Sequence, residues 1–200
     1  MSLISSLQPF LARKEKFKIP RLFILLCTIL ISHACFSSYQ YTHQGNEKIE
    51  SGDFEGAVEA YTRAIEMDPN NARAYYNRAI AFEMLGDPFN ALEDYAKAIE
   101  IKPNYAEAYN NRGCLRMSER DYEEAIEDFS RAIQIKPGYA MAFDNRGRSW
   151  MELREYHQAI KDFKKVIELD PNRKEKALER IKFCESKIKD RKGFQYSSKM

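Results

Sequence analysis

The chain has 200 residues, of which 44% are apolar and 31% are charged. This balance supplies enough apolar side chains for a packed core and excludes an intrinsically disordered protein, while 8 Gly and 7 Pro exclude a collagen. Four Cys are too few for a small disulfide-stabilised fold. A net charge of +2, from 32 basic and 30 acidic residues, argues against a dedicated nucleic-acid-binding protein.

The first 34 residues differ in character from the rest of the chain. Five basic residues between positions 13 and 21 stand against Glu15 alone, and ten apolar or near-apolar residues follow from Leu22 to Ile31. This apolar segment is shorter than the roughly 20 residues that a membrane-spanning helix needs. A cationic segment, a short apolar segment and small residues at Ser32 and Ala34 are typical of a secretory signal peptide, which we predict over residues 1–34.

Cleavage after Ala34 would leave Cys35 as the first residue of the mature chain, which resembles the lipid-modified cysteine of bacterial lipoproteins. Ser32 and His33 depart from that pattern, which has Leu and a small residue in their places. We therefore predict export to the bacterial cell envelope, attachment to the membrane through the N-terminus and lipidation of Cys35. The alternative is a signal that is not cleaved and that holds a cytoplasm-facing scaffold by a short N-terminal anchor.

A repeat with a period of 34 residues occupies the chain from residue 38 to residue 173. Proline, alanine and aromatic residues each recur at this spacing in four copies, and chance would not keep three such series in register. The repeat divides the chain into four units, 38–71, 72–105, 106–139 and 140–173. The three series are Pro69, Pro103, Pro137 and Pro171; Ala57, Ala91, Ala125 and Ala159; and Tyr61, Tyr95, Phe129 and Phe163.

Within each unit the pattern predicts a helix, a turn and a second helix. Gly-Asp pairs at 52–53 and 86–87 end the first helix, and each Asp is placed to cap the second. Asp121, followed three residues later by Glu124, approximates a capping box. Pro88 falls at the first residue of a second helix, where its missing N–H would have no helical partner in any case.

This pattern resembles the tetratricopeptide repeat (TPR) family, whose 34-residue unit carries W-x2-L-G-x2-Y, then A-x3-F, then P. Tyr or Phe replaces the leading Trp, and arginine replaces the Leu in units two to four. The third unit shows the match most clearly: Tyr109-x2-Arg112-Gly113, then Ala125-x3-Phe129, then Pro137.

The resemblance implies an all-α fold, a right-handed superhelical solenoid of four helix-turn-helix repeats. Such a stack needs a cover at its end. We predict a C-terminal capping helix over 174–192 and a flexible tail over 193–200. The apolar stripe of the capping helix is Ala177, Ile181, Cys184 and Ile188.

Enzyme chemistry finds no support in the sequence. It contains no H-E-x-x-H, C-x-x-C, G-x-S-x-G or phosphate-binding Gly-rich motif, and only three His. We expect the acidic pair Glu127-Asp128 on a solvated helix face, and we expect Cys114 and Cys184 to be unbridged, inert thiols. We therefore predict no enzymatic activity, no metal and no cofactor. A third option, an accessory or small-molecule-binding subunit of an envelope enzyme complex, would require a closed polar pocket.

The resemblance also implies that the first helices line a concave surface where partners bind. Asn77, Asn111 and Asn145 recur at one position of consecutive units. A primary amide can bond to the C=O and the N–H of a peptide together. We predict an asparagine ladder that holds an extended segment by its backbone; the alternative is that these asparagines order the helix pair. The candidate groove residues are Asn46, Tyr76, Asn77, Ile80, Asn110, Asn111, Met117, Asp144, Asn145 and Arg148.

The residues of the groove also restrict its partner. The carboxylate clamp shared by chaperone-binding TPR domains is matched here only by Asn46 and Asn77, since Thr42, Glu107 and Asn111 replace its three cations. We therefore reject chaperone C-terminal tails and predict a protein partner with an apolar, neutral-to-basic segment, and we leave the oligomeric state open. The arginine after each ladder asparagine is expected to pair with a nearby acid. Four methionines add pliable apolar contacts: Met84, Met117, Met141 and Met151.

Overall fold

The computed structural model describes the backbone of residues 21–197 and the side chains of residues 36–190. Over this range consecutive helices form helix-turn-helix pairs, and each pair packs on the next to build a solenoid. The predicted all-α fold is therefore confirmed. The helices are α1 (Arg21–Ser51), α2 (Phe54–Met67), α3 (Ala72–Met84), α4 (Pro88–Ile101), α5 (Ala106–Ser118), α6 (Tyr122–Ile135), α7 (Ala140–Glu152), α8 (Tyr156–Leu169) and, after a 3-10 turn (Pro171–Arg173), α9 (Lys174–Ser197).

Each helix pair is held by an aromatic ring of the second helix that packs on a small residue of the first. The rings of Phe129 and Phe163 are fully buried. A Cβ atom added at Gly113 would lie 2.8 Å from Phe129 Cε1, and one at Gly147 would lie 2.8 Å from Phe163 Cε1. These distances are below van der Waals contact, so the small residues permit the close approach of the two helices.

The turns inside the units are closed by side-chain caps in units one and two. Asp53 accepts a hydrogen bond from the backbone N–H of Gly56 (2.9 Å), and Asp87 accepts one from that of Asn90 (3.1 Å). Pro88 begins α4, as predicted. The capping box predicted at Asp121 does not form, because this carboxylate is exposed to solvent and makes no hydrogen bond to the helix backbone.

A buried ion pair joins the two helices in units two to four. The predicted pairing of the arginines is confirmed, but the partners are buried acids of the second helix. Asp128, which we expected on a solvated face, is only 3% exposed, because Arg112 and Arg116 both bind it. The bidentate pairs are Arg78–Asp94 (2.7 and 2.9 Å), Arg112–Asp128 (2.9 and 2.7 Å) and Arg146–Asp162 (2.8 and 2.8 Å).

Helix α9 covers the last unit with the predicted apolar stripe. Ala177, Ile181 and Cys184 are buried against Phe143 and Phe163. The helix continues to Ser197, so the predicted end at residue 192 is wrong. Gly193 does not end it, since one glycine costs a helix only about 1 kcal/mol and no proline follows. Of the predicted tail over 193–200, only residues 198–200 lie outside the described backbone.

At the other end of the solenoid, α1 begins before the first unit. Its backbone is helical without a break from Arg21 into the first helix of that unit. Residues 1–20 and the side chains of 21–35 lie outside the described part of the chain, so the predictions of a signal peptide over 1–34 and of lipidation at Cys35 fall there. Within residues 21–197, no helix is both long and apolar enough to cross a membrane.

Candidate functional site

Two adjoining cavities open on the concave side of units one and two. Their volumes are about 410 Å³ and 290 Å³, and both are lined by Asn46 and Arg73. We call them together the amino-terminal groove. Its lining residues are Ser38, Tyr39, Thr42, His43, Asn46, Ile49, Glu50, Tyr61, Asp68, Asn70, Asn71, Ala72, Arg73, Asn77 and Ile80.

Asn46 is the central polar residue of this groove. Its side-chain oxygen accepts hydrogen bonds from the Tyr61 hydroxyl (2.8 Å) and from Asn77 Nδ2 (2.8 Å). These two bonds fix the plane of the amide, and its NH2 group is left to bond to a ligand. Burial raises the pKa of Tyr61 to about 12, so this hydroxyl stays a proton donor at physiological pH.

Asn71 closes the first cavity from the loop between α2 and α3. Its Nδ2 donates to Ser38 Oγ (2.9 Å) and to Thr42 Oγ1 (3.1 Å), while its oxygen accepts from the N–H of Ala74 (2.9 Å) and caps α3. The sequence analysis treated this loop only as the end of a helix. The Asn after a Pro-Asn pair was the available sign of a capping residue, although its bonds to α1 depend on the stacking of the units.

The predicted ladder asparagines use their NH2 groups within the protein. Asn77 donates to Asn46, Asn111 donates to the Tyr76 hydroxyl (3.0 Å), and Asn145 donates to Asn110 Oδ1 (3.2 Å). Each bond joins a first helix to the first helix of the preceding unit. The amides therefore join successive units, rather than the two helices of one unit that the alternative named, and their remaining atoms are left for a ligand.

Three of the predicted groove residues are buried and expose little surface on the concave side. Asn110 is 1% exposed and Asn145 is 6% exposed, because they bond to each other and pack beside Cys114. Asp144 is 9% exposed because α9 covers it and Arg180 donates to its carboxylate. On the concave side of units three and four these three side chains are therefore bonded within the chain and covered.

The other predicted groove residues remain partly or fully accessible. Tyr76 is half-buried, with its ring 4.9 Å from that of Tyr105, a residue that the sequence analysis missed. Asn111 and Met117 are also half-buried, and Arg148 is exposed. The clamp positions carry no cation, because they are occupied by Thr42, Glu107 and Asn111. Thr42 donates to a backbone oxygen, and Glu107 is itself paired with Lys136 (3.3 Å).

The charges of the groove are sparse and unevenly placed. Arg73 is exposed and has no ion-pair partner among the side chains of residues 36–190. Glu83, further along the concave side, is half-buried; desolvation raises the pKa of its carboxyl group, and the Tyr95 hydroxyl donates to it. The groove thus offers hydrogen-bonding groups, apolar side chains and the Arg73 cation to a ligand. No group of acids, His and Cys suited to a metal ion occurs in the described residues.

Comparison with known families identifies the repeat. Models described as "TPR repeat" and "Tetratricopeptide repeat" match residues 45–86, 72–105, 106–139 and 140–173. Together these matches span residues 45–173, which is well over half of the chain. The chain belongs to the tetratricopeptide repeat family, whose arrays mediate protein–protein interaction and are generally non-catalytic.

The curated relatives share only a short segment with this chain. The human small glutamine-rich tetratricopeptide repeat-containing protein beta is 47% identical over 47 residues, which is 24% of this chain and 16% of that protein. The tetratricopeptide repeat protein 36 homolog of Nematostella vectensis is 44% identical over 48 residues, which is 24% of this chain and 26% of that protein. The chain therefore spans at most about a quarter of the length of these relatives.

Solved structures match over a longer range. The MamA protein superposes with a TM-score of 0.71 at 27% identity, over 82% of this chain and 89% of that one. Pseudomonas aeruginosa pilF gives a TM-score of 0.70 at 25% identity, over 79% of this chain and 72% of that one. The first TPR domain of Spaghetti (RPAP3), solved with an HSP90 peptide, gives a TM-score of 0.58 at 26% identity, over 60% and 94%.

Proposed function

We propose that this chain is a non-enzymatic adaptor that binds an extended segment of a partner protein in the amino-terminal groove. One observation carries the proposal: the two cavities of units one and two join at Asn46 and Arg73, whereas Asn110, Asp144 and Asn145 are buried in units three and four. The binding of an HSP90 peptide by the RPAP3 domain supports a peptide ligand for this fold.

The groove favours a segment that is apolar and neutral to basic. Tyr39, Ile49 and Ile80 supply apolar contact area, and Asn46 supplies a hydrogen-bond donor pair for a backbone carbonyl. Unit one carries seven acidic residues against two basic ones, a net charge of −5. Both basic residues are already paired within the unit, Lys48 with Asp53 and Arg63 with Glu59, so the field at this end of the groove attracts a cation.

Chaperone tails do not fit this proposal. A C-terminal carboxylate needs cations at the clamp positions, and Thr42, Glu107 and Asn111 stand there instead. The solitary Arg73 lies in the groove but is one charge, whereas the clamp uses three. The HSP90 peptide seen on the RPAP3 domain is therefore not expected to bind here.

A photo-reactive amino acid in the groove tests this site. We expect such a residue at Tyr39 or Arg73 to cross-link a partner from the membrane fraction of the source cell, because both side chains line the groove. The matched control replaces Glu127, which is exposed on a second helix outside the groove. Equal cross-linking from Glu127 would contradict the groove as the binding site.

Two asparagines of the same series separate binding from stability. Asn77→Ala should weaken partner binding by about 1 kcal/mol per lost hydrogen bond with a small effect on folding. Asn145→Ala leaves the oxygen of Asn110 buried without a donor and should lower the free energy of unfolding by about 1–3 kcal/mol. Isothermal titration with a cross-linked partner peptide and urea unfolding measure the two effects. Loss of binding in the Asn145 variant alone would place the ligand elsewhere.

We further propose that the protein acts in the bacterial cell envelope, attached to a membrane through Cys35 or its N-terminal segment. The cationic and apolar segments before Cys35 support this location. An uncleaved anchor with a cytoplasm-facing scaffold is the second candidate, and the unbroken helix from Arg21 to Ser51 favours it, since cleavage after Ala34 would cut inside this helix. The mass and first residue of the mature protein decide: an acylated Cys35 supports the lipoprotein, and an intact Met1 excludes it.

A further inference from the structure

The turn between α3 and α4 exposes three large apolar side chains. Met84 is 59% exposed, Leu85 38% and Phe89 68%. We call these three residues the apolar turn. The same positions of the other units carry mostly polar side chains: Glu50, Ser51 and Glu55 in unit one; Ser118, Glu119 and Glu123 in unit three; Glu152, Leu153 and His157 in unit four.

The exposure of Phe89 follows from the proline beside it. In units one, three and four an aromatic residue is the first residue of the second helix and is half-buried: Phe54, Tyr122 and Tyr156. In unit two Pro88 takes that place, so the aromatic residue stands one position later. One residue turns a helical side chain by about 100°, which brings Phe89 from the core edge into solvent.

The apolar turn lies outside the two cavities of the groove, although the sequence placed Met84 among the groove methionines and Glu50, at the same position of unit one, lines the second cavity. Side-chain hydrogen bonds join successive first helices at equivalent positions along their length, as in Asn111 to Tyr76 and Asn145 to Asn110. The first helices therefore run parallel to each other. All the turns inside the units therefore lie along one edge, at the C-terminal ends of the first helices. None of the three residues lines either cavity of the amino-terminal groove.

This position excludes the membrane at the N-terminus as the surface that covers the patch. Helix α1 enters unit one at the opposite ends of the first helices. From residue 35, the proposed point of attachment, to Ser51 this helix has 17 residues, which at about 1.5 Å per residue is about 25 Å. A membrane at residue 35, or further toward the N-terminus, is thus separated from the turn edge by at least this length of helix.

The neighbouring turns surround the apolar turn with acidic side chains. Glu50 and Glu55 of unit one and Glu119 and Glu123 of unit three are exposed, and Arg120 is an exposed basic residue among them. Lys48 is already paired with Asp53. Two copies of the chain that met through this patch would bring acids against acids, so a self-contact of this kind is disfavoured.

We propose that the apolar turn is a second docking surface, for a basic amphipathic helix of a partner protein. Its apolar side chains would pack on Phe89 and Leu85, and its Lys and Arg would face the acids of the neighbouring turns. The site goes beyond the peptide groove and does not depend on it. An adaptor with both surfaces holds two segments at once, one in the groove and one on the turn edge.

A model peptide tests the chemistry of this site. The probe is a labelled amphipathic helix of about 18 residues with Leu on one face and Lys on the other, and the protein is the full chain in nanodiscs of zwitterionic lipid. Fluorescence anisotropy should show at least fivefold weaker binding to the triple variant Met84→Ser, Leu85→Ser, Phe89→His, whose new residues come from the other units. Empty nanodiscs correct for binding to lipid, and an unchanged melting temperature confirms the fold.

Further variants separate this site from the groove and identify its occupant. Arg73→Ala with Asn77→Ala should leave probe binding unchanged, and Glu55→Gln with Glu123→Gln should weaken it at least twofold. Equal binding by the triple variant, or equal binding of a Leu/Glu peptide, would overturn the proposal. Concentration-dependent association of the wild-type chain that the triple variant abolishes would assign the patch to a second copy and would also overturn it.

Discussion

At the scale of single residues, the buried arginine–aspartate pairs distinguish this chain from the plain TPR pattern. The guanidinium lies between three helices in unit four, where Arg146 donates to Asp162 on α8 and to Ser130 Oγ (3.0 Å) on α6. A leucine at this position would pack but would not bond. Arg78 and Arg146 thus fix the rotation of a first helix relative to both second helices beside it, whereas Arg112 bonds only to its own unit, since Ala96 stands where Thr62 and Ser130 accept.

Removal of one partner from such a pair is expected to be costly. Arg146→Leu leaves Asp162 buried without a cation and should lower the free energy of unfolding by about 3–5 kcal/mol, while the double variant Arg146→Leu, Asp162→Leu should regain most of it. Arg112→Leu is the matched control, because Arg116 still binds Asp128 at 2.9 Å. Urea unfolding measures the differences. Equal losses in Arg112→Leu and Arg146→Leu would contradict this account.

The thiol of Cys114 is expected to react slowly in the folded chain. Burial raises its pKa from 9.0 to about 11, so about a hundredfold less of it is thiolate at pH 8 than for an ordinary thiol. Alkylation by iodoacetamide followed by peptide mass mapping should show this ratio, and denaturation should abolish it. Rapid alkylation of Cys114 in the folded protein would contradict this expectation and show that unit three opens locally around the thiol.

At the scale of elements, the turns inside the units differ in backbone strain. Gly52 and Gly86 adopt φ values of +77° and +75°, which glycine does without a steric penalty. Arg120 and Arg154 adopt φ values of +71° and +61° at the matching positions of units three and four. The two C-terminal turns therefore hold a strained residue that the stack around them must stabilise.

A glycine pair measures this strain. Gly86→Ala should lower the free energy of unfolding by about 1–2 kcal/mol, because a side chain at positive φ meets its own backbone. Gly138→Ala is the control: its surroundings are open within 4 Å and its φ is not positive, so it should be neutral or stabilising by up to about 1 kcal/mol. Thermal unfolding compares the two, and a neutral Gly86→Ala would remove the argument from strain.

The sequence alone predicted the helices well because their signals are local. Repeated proline, alanine and aromatic positions, and the caps Asp53 and Asp87, act within a few residues of each other. The groove was predicted less well because burial on its surface depends on neighbours from other units. Asn110 and Asp144 have the pattern of ligand-binding positions, and only the stacking of α7 and α9 shows that they are covered.

At the scale of the whole molecule, α9 ends the stack with a shift of one residue. Ala177 and Cys184 pack on α8 in the way that Ala108 and Leu115 pack on α4. They lie 69 residues after Ala108 and Leu115, which is one residue more than two 34-residue periods. Arg180 accordingly takes the place of Asn145 and donates to Asp144 in unit four. Helix α9 thus makes the contacts that a first helix makes with the preceding unit, with the charged Arg180–Asp144 bond in place of an amide hydrogen bond.

Loss of this cap should affect the stack locally. Ile181→Ala removes buried methyl groups and should lower the free energy of unfolding by about 2–5 kcal/mol. Because each unit contacts only its neighbours, hydrogen exchange should rise most in α7, α8 and α9 and least in α2 and α3. Val58→Ala, a half-buried change in unit one, serves as the positional control. A uniform rise along the chain would show that the array unfolds as one unit.

The bonds between successive first helices also govern how the superhelix flexes. These hydrogen bonds lie on the concave side of the superhelix. Opening of the superhelix therefore stretches them, while the helices on the convex side move closer together. The first helices of the four units are tied to each other by neutral amide bonds at Asn77, Asn111 and Asn145, whereas the last junction is tied by the ionic bond of Arg180. Charged hydrogen bonds are about twice as strong as neutral ones. Elastic compliance is therefore lowest at the capped end, and the open groove lies in the more compliant part of the array, where it can adjust to partner segments of different width.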